Sequence, residues 1–377
     1  MKEKKWIWEH SDYPNFKYDS MKLDTALSKV SHNTGILEGT ISTLNINSTT
    51  SIQLDAVTNE ILASSEIEGE ILNRDSVRSS VEKKLNNTFD YSNDHSTRHT
   101  DGLVDILIDS SFSHEPLTEE RLHGWHNALF PTGYSGMTKI DVAKYRTEEM
   151  SVISGRGIKE KIHYIAPPYE ILIDEMHAFL EYINHSEDNP YIKSALAHLW
   201  FVIIHPYDDG NGRITRTIAN YVLSKGLGLN HKYFSISSAV IKDKKNYYAA
   251  LEKTNKIINN KDFDFTEWIL WHTSMIDSAV NISLENIQIV VNKTKFWDRA
   301  RNLNLNEKQT KVLNKLLDTG EGNFDGGLTN KKYRGITSTT QVTASRHIKE
   351  LVDKGLLREV EGHGGRSTCY DIVWNEK

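Results

Sequence analysis

Pro206 and the glycines at 210 and 212 interrupt what would otherwise be one long helical pattern, and no other feature constrains the fold of this chain as strongly. Upstream, Asn189 and Pro190 form an N-cap and first-turn pair, and Ala195, Leu196, Leu199, Trp200 and Ile203 recur at helical spacing. The pattern predicts a buried helix from Tyr191 to Ile204. Proline disfavours the α conformation in the residue before it, so the helix is expected to stop at or near His205, with the imidazole at the lip of a loop. Downstream, Ile214, Ile218, Val222 and Leu223 mark a second amphipathic helix that runs to Gly226 and Gly228. Between the two helices, Gly210, Asn211 and Gly212 allow positive φ and close approach of the backbone.

The run from His205 to Arg216, HPYDDGNGRITR, therefore sets a base, an acid and a glycine-rich turn ahead of two arginines. Its amides crown a helix N-terminus, where anions are favoured. Arg213 and Arg216 lie three residues apart on the first turn of that helix, where cations oppose the helix dipole. A polyphosphate would account for them. Asp209 is a hard oxygen ligand suited to a magnesium ion that bridges phosphates. A calcium loop does not fit: with Gly212 at the invariant glycine, Tyr207 and Ile218 fall at the first and twelfth positions, and neither side chain ligates calcium. A short glycine-rich turn is more often a mere connection, but here the density of functional groups argues for chemistry.

HPYDDGNGRITR resembles the signature of the Fic family, HPFx(D/E)GNGRxxR, at eight fixed positions, with Tyr207 in place of the usual Phe. The extra hydroxyl needs a partner or a path to water. The resemblance implies a protein adenylyltransferase that moves AMP from ATP to a Ser, Thr or Tyr hydroxyl of a protein target, the chain itself included, and releases pyrophosphate. It implies that His205 is the base, that Asp209 holds Mg2+, and that Asn211 with the amides of Gly210 and Gly212 grips the phosphates. Arg213 would clamp the β-phosphate side and Arg216 would meet the γ-phosphate.

A second helical pattern (Ile52, Val57, Ile61, Leu62) ends in SSEIEGE, where Ser64, Glu68 and Gly69 match the family's inhibitory motif, (S/T)xxxE(G/N). Residues i and i+4 share a helix face, so Ser64 and Glu68 are expected to point the same way, with Gly69 at a close pass or helix end. By resemblance, Glu68 pairs with Arg216, as a bidentate carboxylate–guanidinium pair, in the γ-phosphate's place. Residues 145–168 read as a hairpin joined by Gly155-Arg156-Gly157 and Lys159-Glu160-Lys161, similar to the family's target-binding flap. Asn246, Tyr247, Tyr248 and Asn255 follow the motif where family members place nucleoside contacts. Tyr247 or Tyr248 would stack on adenine and Asn255 would hydrogen-bond it.

Few prolines (seven in 377 residues) and long helical patterns predict a mainly α chain: a Fic-type helical core with a small β-hairpin flap and a C-terminal winged helix-turn-helix domain. The expected domains are an N-terminal helical region, 1–100, with the inhibitory helix at 51–70; a catalytic core, 101–275; a helical linker, 276–303; and a winged helix, 304–377. The resemblance extends from WIWEHSDYPNFKYD near the N-terminus, through IEGEILNRDSVRSSVEKKL, to about Thr273. In the last domain Asn306 caps a first helix, Leu328–Tyr333 is a short second, and Ser338–Lys354 is a third that carries Arg346 and Lys349. A wing turns at Gly362–Gly365, with Arg366 beside it. Lys and Arg number 12 against 10 Asp and Glu over 302–377, a surplus of two that leaves DNA contact and protein docking both open.

The net charge of −6 gives no bulk attraction for nucleic acid, one cysteine (Cys369) excludes an intrachain disulfide, and no segment has the length or apolarity of a signal or membrane span. A cytoplasmic location without membrane contact is the expectation. The oligomeric state stays open, a homodimer included. Two other functions compete with an autoinhibited adenylyltransferase: removal of AMP or use of another nucleotide by the same site, and a DNA-binding regulator that senses nucleotide through the core. An intact base at His205 argues against a pure sensor.

Overall fold

The computed structural model describes residues 4–85, 89–113, 115–154, 161–228, 233–320, 324–360 and 368–374. It is mainly helical with small antiparallel hairpins, and divides into two compact units, Met1–Ser283 and Leu284–Lys377. The stretch expected as a helical linker, 276–303, falls largely within one continuous helix, α11 (Thr266–Ala300), and the unit boundary lies inside that helix. α11 carries buried apolar residues on both stretches, Ile276 and Val280 before the boundary and Ile287 and Phe296 after it.

The first unit is built around α7 (Pro190–Ile204) and α8 (Asn211–Leu227). Asn189 caps α7 by accepting from the Tyr191 amide, and Pro190 takes the first turn, where its missing N–H costs nothing. α7 is buried on nearly every face, so it lies inside the unit rather than on its surface. Gly226 lets the far end of α8 close on Pro190; a Cβ there would fall 2.7 Å from the proline Cβ. α4 (Arg98–Phe112), α5 (Glu119–Leu129) and α6 (Leu172–His185) complete the core with Leu122, Trp125, Met176, Phe179 and Phe201.

α2 (Ile46–Ile67) and α3 (Arg74–Leu85) pack together, and α2 is fastened to α9 (Ile236–Lys242) by the buried carboxylate of Glu60. Glu60 accepts from Ser235 Oγ at 2.8 Å, from the Ser237 amide at 3.0 Å and from Ser237 Oγ. A buried carboxylate is tolerated when it is saturated in this way. The anchor fixes where the C-terminal end of α2 meets α8. Two hairpins flank the core. β1 (Tyr134–Ser135) pairs with β2 (Thr138–Lys139), and β3 (Ser151–Ser154) pairs with β4 (Lys161–Ile165), with an irregularity between Val152 and Ile153. The turn residues expected at Gly155–Glu160 lie outside the described residues.

In the second unit, α12 (Glu307–Leu317) starts at Asn306, whose side chain accepts from the Gln309 amide. α13 (Asn330–Thr337), a left-handed Ser338 and α14 (Gln341–Asp353) follow, and β5 (Leu357–Glu359) pairs with β6 (Tyr370–Ile372). α13 begins two residues later than the pattern suggested and runs to Thr337. Ser338 is in the turn rather than in the third helix. The expected wing residues Gly362–Gly365 and Arg366 lie outside the described residues. No helix among the described residues is long and apolar enough to cross a membrane.

Three imidazoles in the core of the first unit, His126, His198 and His272, are buried. Burial lowers the pKa of His126 to about 4 and of His272 to about 3, and drives that of His198 well below the ordinary value. The unfolded chain binds these protons near pH 6.5, whereas the folded one excludes them until the pH is much lower. Stability is thus complete above pH 6.5 and falls as the pH drops. For His126 alone the loss by pH 4 is on the order of 3 kcal/mol. Urea unfolding of the first unit at pH 7.5 and pH 4.5 should show a markedly lower midpoint in acid; equal midpoints would mean that these rings reach water.

Candidate active site

α7 ends at Ile204, and His205 takes a left-handed conformation (φ 50°, ψ 60°) that only a well-determined turn holds in a non-glycine residue. The proline rule places the stop correctly but not the conformation, since it favours an extended residue. What holds the turn is Arg146, whose buried guanidinium donates from Nε to the His205 carbonyl at 2.9 Å and from Nη2 to the Pro167 carbonyl at 2.6 Å. The Arg146 amide donates to the Pro206 carbonyl at 2.9 Å, and the Tyr164 hydroxyl donates to Ile203 O at 2.8 Å. The last carbonyls of α7 are thereby satisfied from the base of the β3–β4 hairpin. Trp6 packs edge-on against Tyr164, and Trp8 donates to Ile165 O at 2.8 Å, so the N-terminal segment backs the same hairpin.

The His205 Nδ1 lies 3.2 Å from the Val202 carbonyl, a contact that Nδ1–H makes as donor. Nε2 is left as the lone-pair nitrogen. Burial lowers the pKa of this ring and the Arg146 charge adds to the effect, while the Val202 contact opposes it. The imidazole is thus neutral at pH 7, the form a base requires.

The loop is braced from below. Asn211 is buried, and its side chain accepts from the Tyr207 amide at 3.0 Å and donates to the Tyr207 carbonyl at 2.7 Å. In this structure Asn211 thus braces the loop with its Oδ1 and one Nδ2–H, whereas the sequence suggested that it grips phosphate. His126 stacks on the Tyr207 ring at 4.1 Å, accepts from the Ala143 amide at Nδ1 and meets the Asp209 carbonyl through Nε2 at 3.1 Å. The Tyr207 hydroxyl has a partner in His123 Nδ1 at 2.9 Å. Tyr207→Phe should therefore cost about 1 kcal/mol in a urea titration and leave catalysis intact; a loss of several kcal/mol would mean that the hydroxyl anchors the whole loop.

Gly210 (φ 81°) opens α8, and a Cβ there would meet Leu129 and Phe130 side chains at 2.7 Å. At Gly212, a Cβ would lie 2.2 Å from Glu68 Oε1. The Glu68 carboxylate thus stands on the first turn of α8, at the anion-favouring end of the helix. α2 stops at Ile67. Glu68 is its C-cap, Gly69 follows at φ 86°, and the Glu70 amide returns to Ser65 O at 3.0 Å, a closed helix end that needs glycine at that point. α10 (Lys244–Thr254) also caps α2: the Tyr248 hydroxyl donates to Ile67 O at 3.1 Å.

Arg216 is 3% exposed and meets Glu68 Oε1 through Nη2 at 2.8 Å. Its Nε donates to Ser64 Oγ and its Nη2 to Ser64 O, both at 2.9 Å, while Nη1 is buried with no hydrogen-bond partner among the described residues. Glu68 meets a single nitrogen of the guanidinium rather than making the bidentate fork expected, and Ser64 takes the Nε–Nη2 edge. Arg213 pairs with Glu70 Oε2 at 2.6 Å and lies over the Phe130 ring, 5.1 Å from its centroid. Sequence reasoning assigned no role to Glu70, His126 or Arg146.

Asp209 accepts from Ser135 Oγ and, at 2.5 Å, from the Gly210 amide. It lines an open cleft of about 640 Å³ together with Glu68, Glu70, His99, Ser135 and Arg213. Among the described residues, no group of three or more His, Cys, Asp or Glu side chains converges for a metal. The single carboxylate fits a dication that takes its remaining ligands from phosphates and water. Where nucleoside contacts were expected, Tyr247 is buried, its hydroxyl 3.1 Å from His198 Nε2 and its ring stacked on Trp271, so no face is exposed in this structure. Asn255 is buried as the cap of α10, and Asn246 donates to Asp243. Of the four residues expected there, Tyr248 alone presents a half-exposed ring.

Residues 116–223, from just before α5 to near the end of α8, match the model of the Fic/DOC family. This stretch is a Fic/DOC family domain. A domain of unknown function, DUF4172, matches residues 6–86, so Glu68 and its helix lie outside the Fic domain proper. The chain is 37% identical over 126 residues to a uridine 5'-monophosphate transferase of Xanthomonas campestris, and 24% identical over 119 residues to protein adenylyltransferase fic-1 of Caenorhabditis briggsae. Each match covers 31% of this chain and only 23% and 20% of those proteins. A Fic family protein from Desulfovibrio desulfuricans shares the fold over 96% of this chain and 98% of its own, with a TM-score of 0.55 and 14% identity. A Fic domain containing signaling protein from Bacteroides thetaiotaomicron matches 71% of this chain and 97% of its own, with a TM-score of 0.51 and 19% identity.

Proposed function

We propose that the chain is a nucleotidyltransferase, specifically a protein adenylyltransferase, restrained by its own Glu68. The observation that carries this reading is the pairing of a neutral His205, its Nε2 free of the Val202 contact, with a helix N-terminus whose anion place holds a carboxylate of the same chain. In the reaction, His205 Nε2 takes the proton of a target hydroxyl as its oxygen bonds to the α-phosphorus of ATP. The bond from that phosphorus to the bridging oxygen breaks, and pyrophosphate leaves. The amides of Gly210 and Gly212, with Arg213 and Arg216, receive the charge that builds on the phosphate oxygens. Asp209, with Ser135 beside it, would hold Mg2+, which supplies charge neutralisation on the phosphates. While Glu68 is on Arg216, the outer phosphate has no place and the nucleotide cannot seat productively.

The name of the Xanthomonas relative favours a second reading, transfer of UMP, by the same residues. The test is label transfer from α-labelled ATP and UTP, with magnesium, by the native chain and by Glu68→Gly. Label from ATP that rises with the glycine supports the proposal; label from UTP alone moves it to the second reading. No label from either, with nucleotide bound, overturns both.

We also read the second unit as a winged helix. The exposed Lys331, Arg334, Arg346 and Lys349 of α13 and α14 support nucleic acid as its partner.

A further inference from the structure

Arg213 is the second cation on the first turn of α8, and Glu68 does not touch it. Its partner is Glu70, brought back toward α8 by the left-handed Gly69 and the Glu70 to Ser65 backbone bond. The two oxygens of Glu70 are used separately: Oε2 meets Arg213 Nη1 at 2.6 Å, and Oε1 meets His99 Nε2, from α4, at 2.8 Å. The carboxylate is held below its usual pKa range, chiefly by His99 and then by Arg213, so it is an anion at any physiological pH. Arg213 has a second contact besides Glu70, because the guanidinium also rests on Phe130. Its buried Nε has no hydrogen-bond partner among the described residues, a donor that the present occupant leaves unused. His99 lines the same cleft as Asp209 and Ser135.

We infer that Glu70 is the second half of a two-carboxylate stand-in for polyphosphate, and that His99 is a phosphate-binding residue of the site once Glu70 withdraws. Glu68 on Arg216 and Glu70 on Arg213 place two anions on adjacent cations of one helix turn, as two linked phosphates of a nucleotide would. A phosphate between Arg213 and His99 offers more acceptor oxygens than a carboxylate and can engage the idle Arg213 Nε as well. The inference rests on the proposal that this site takes a nucleotide, and extends it to a residue that lies outside both the catalytic loop and the Fic domain match.

The test is ATP binding to the full chain by calorimetry, with magnesium and no protein target, so that transfer is not the readout. The comparison is Glu68→Gly alone, with Glu70→Gln added, and with both Glu70→Gln and His99→Ala added. Glu70→Gln should tighten ATP at least fivefold over Glu68→Gly and change AMP less than twofold. Adding His99→Ala should reverse that gain, and His99→Gln, which keeps a donor, should restore part of it. No gain with Glu70→Gln, or an equal gain for AMP, overturns the stand-in; a gain that survives His99→Ala overturns the role of His99. Far-UV circular dichroism melts confirm that each variant is folded. If the binding pattern holds but no label is ever transferred, the transferase proposal falls and the phosphate assignment stands. If Glu68→Gly raises transfer and binding ignores Glu70, this inference falls alone.

Discussion

His205→Ala is expected to lower nucleotidyl transfer by about three orders of magnitude, within the range that general-base groups supply, while ATP affinity changes by no more than about twofold. The size follows from geometry. His205 Nδ1 is turned to the Val202 carbonyl, and the ring is kept neutral by burial and by the nearby Arg146 charge. Three nearby or core imidazoles cannot substitute: His126 is stacked on Tyr207 with both nitrogens engaged, and His198 and His272 are buried in the core. The affinity should be spared because the groups proposed to face phosphate belong to α8 and its loop, which are braced by Asn211 and His126 rather than by His205. Single-turnover label transfer and calorimetric binding on the same preparation separate the two quantities. A variant that loses ATP binding in step with transfer would make His205 a structural cap of α7 rather than a base.

Glu68→Gly should raise transfer at least tenfold under the same conditions. The reasoning is a population argument: a site closed by an internal anion is competent only in the fraction of molecules in which that anion is away, and removing it restores the missing fraction. Arg216 is poised to benefit, since Ser64 holds its Nε and Nη2 through contacts separate from the one to Glu68. The same substitution leaves a buried guanidinium without its carboxylate, which is costly. The variant should therefore be faster and also melt at a lower temperature. An increase in activity without loss of stability would mean that Glu68 contributes no net stabilisation. An unchanged rate with normal folding would remove Glu68 from the restraint.

Local chemistry explains which parts of this arrangement could be read from the chain. Asn189, Pro190, Pro206 and Gly210 act on their immediate neighbours, and the helix ends that they imply are where the pattern puts them. The nearness of Ser64 and Glu68 to Arg216 was legible only through resemblance, since 148 positions separate Glu68 from Arg216 and no periodicity links them. Arg146 gave no signal because it acts on backbone carbonyls nearly 60 residues away, and any arginine in a hairpin looks solvent-bound. Tyr247 and Tyr248 are adjacent and equally aromatic; tertiary packing against His198 and Trp271 decides that the first is core. Glu70 was hidden by its register. Its reach to Arg213 exists only because Gly69 turns the chain left-handed, a conformation that a charged run does not announce.

The bare backbone at Gly212 has a genetic corollary. The lack of a Cβ admits the Glu68 carboxylate to the start of α8, and would admit a phosphate oxygen by the same route. A side chain at that position would exclude both anions together, so under the proposed restraint a change at Gly212 cannot admit the nucleotide while it shuts out Glu68. Release from the proposed restraint with HPYDDGNGRITR left intact would then fall to the short segment Ser64–Glu70, which lies outside the Fic/DOC match and inside the DUF4172 match.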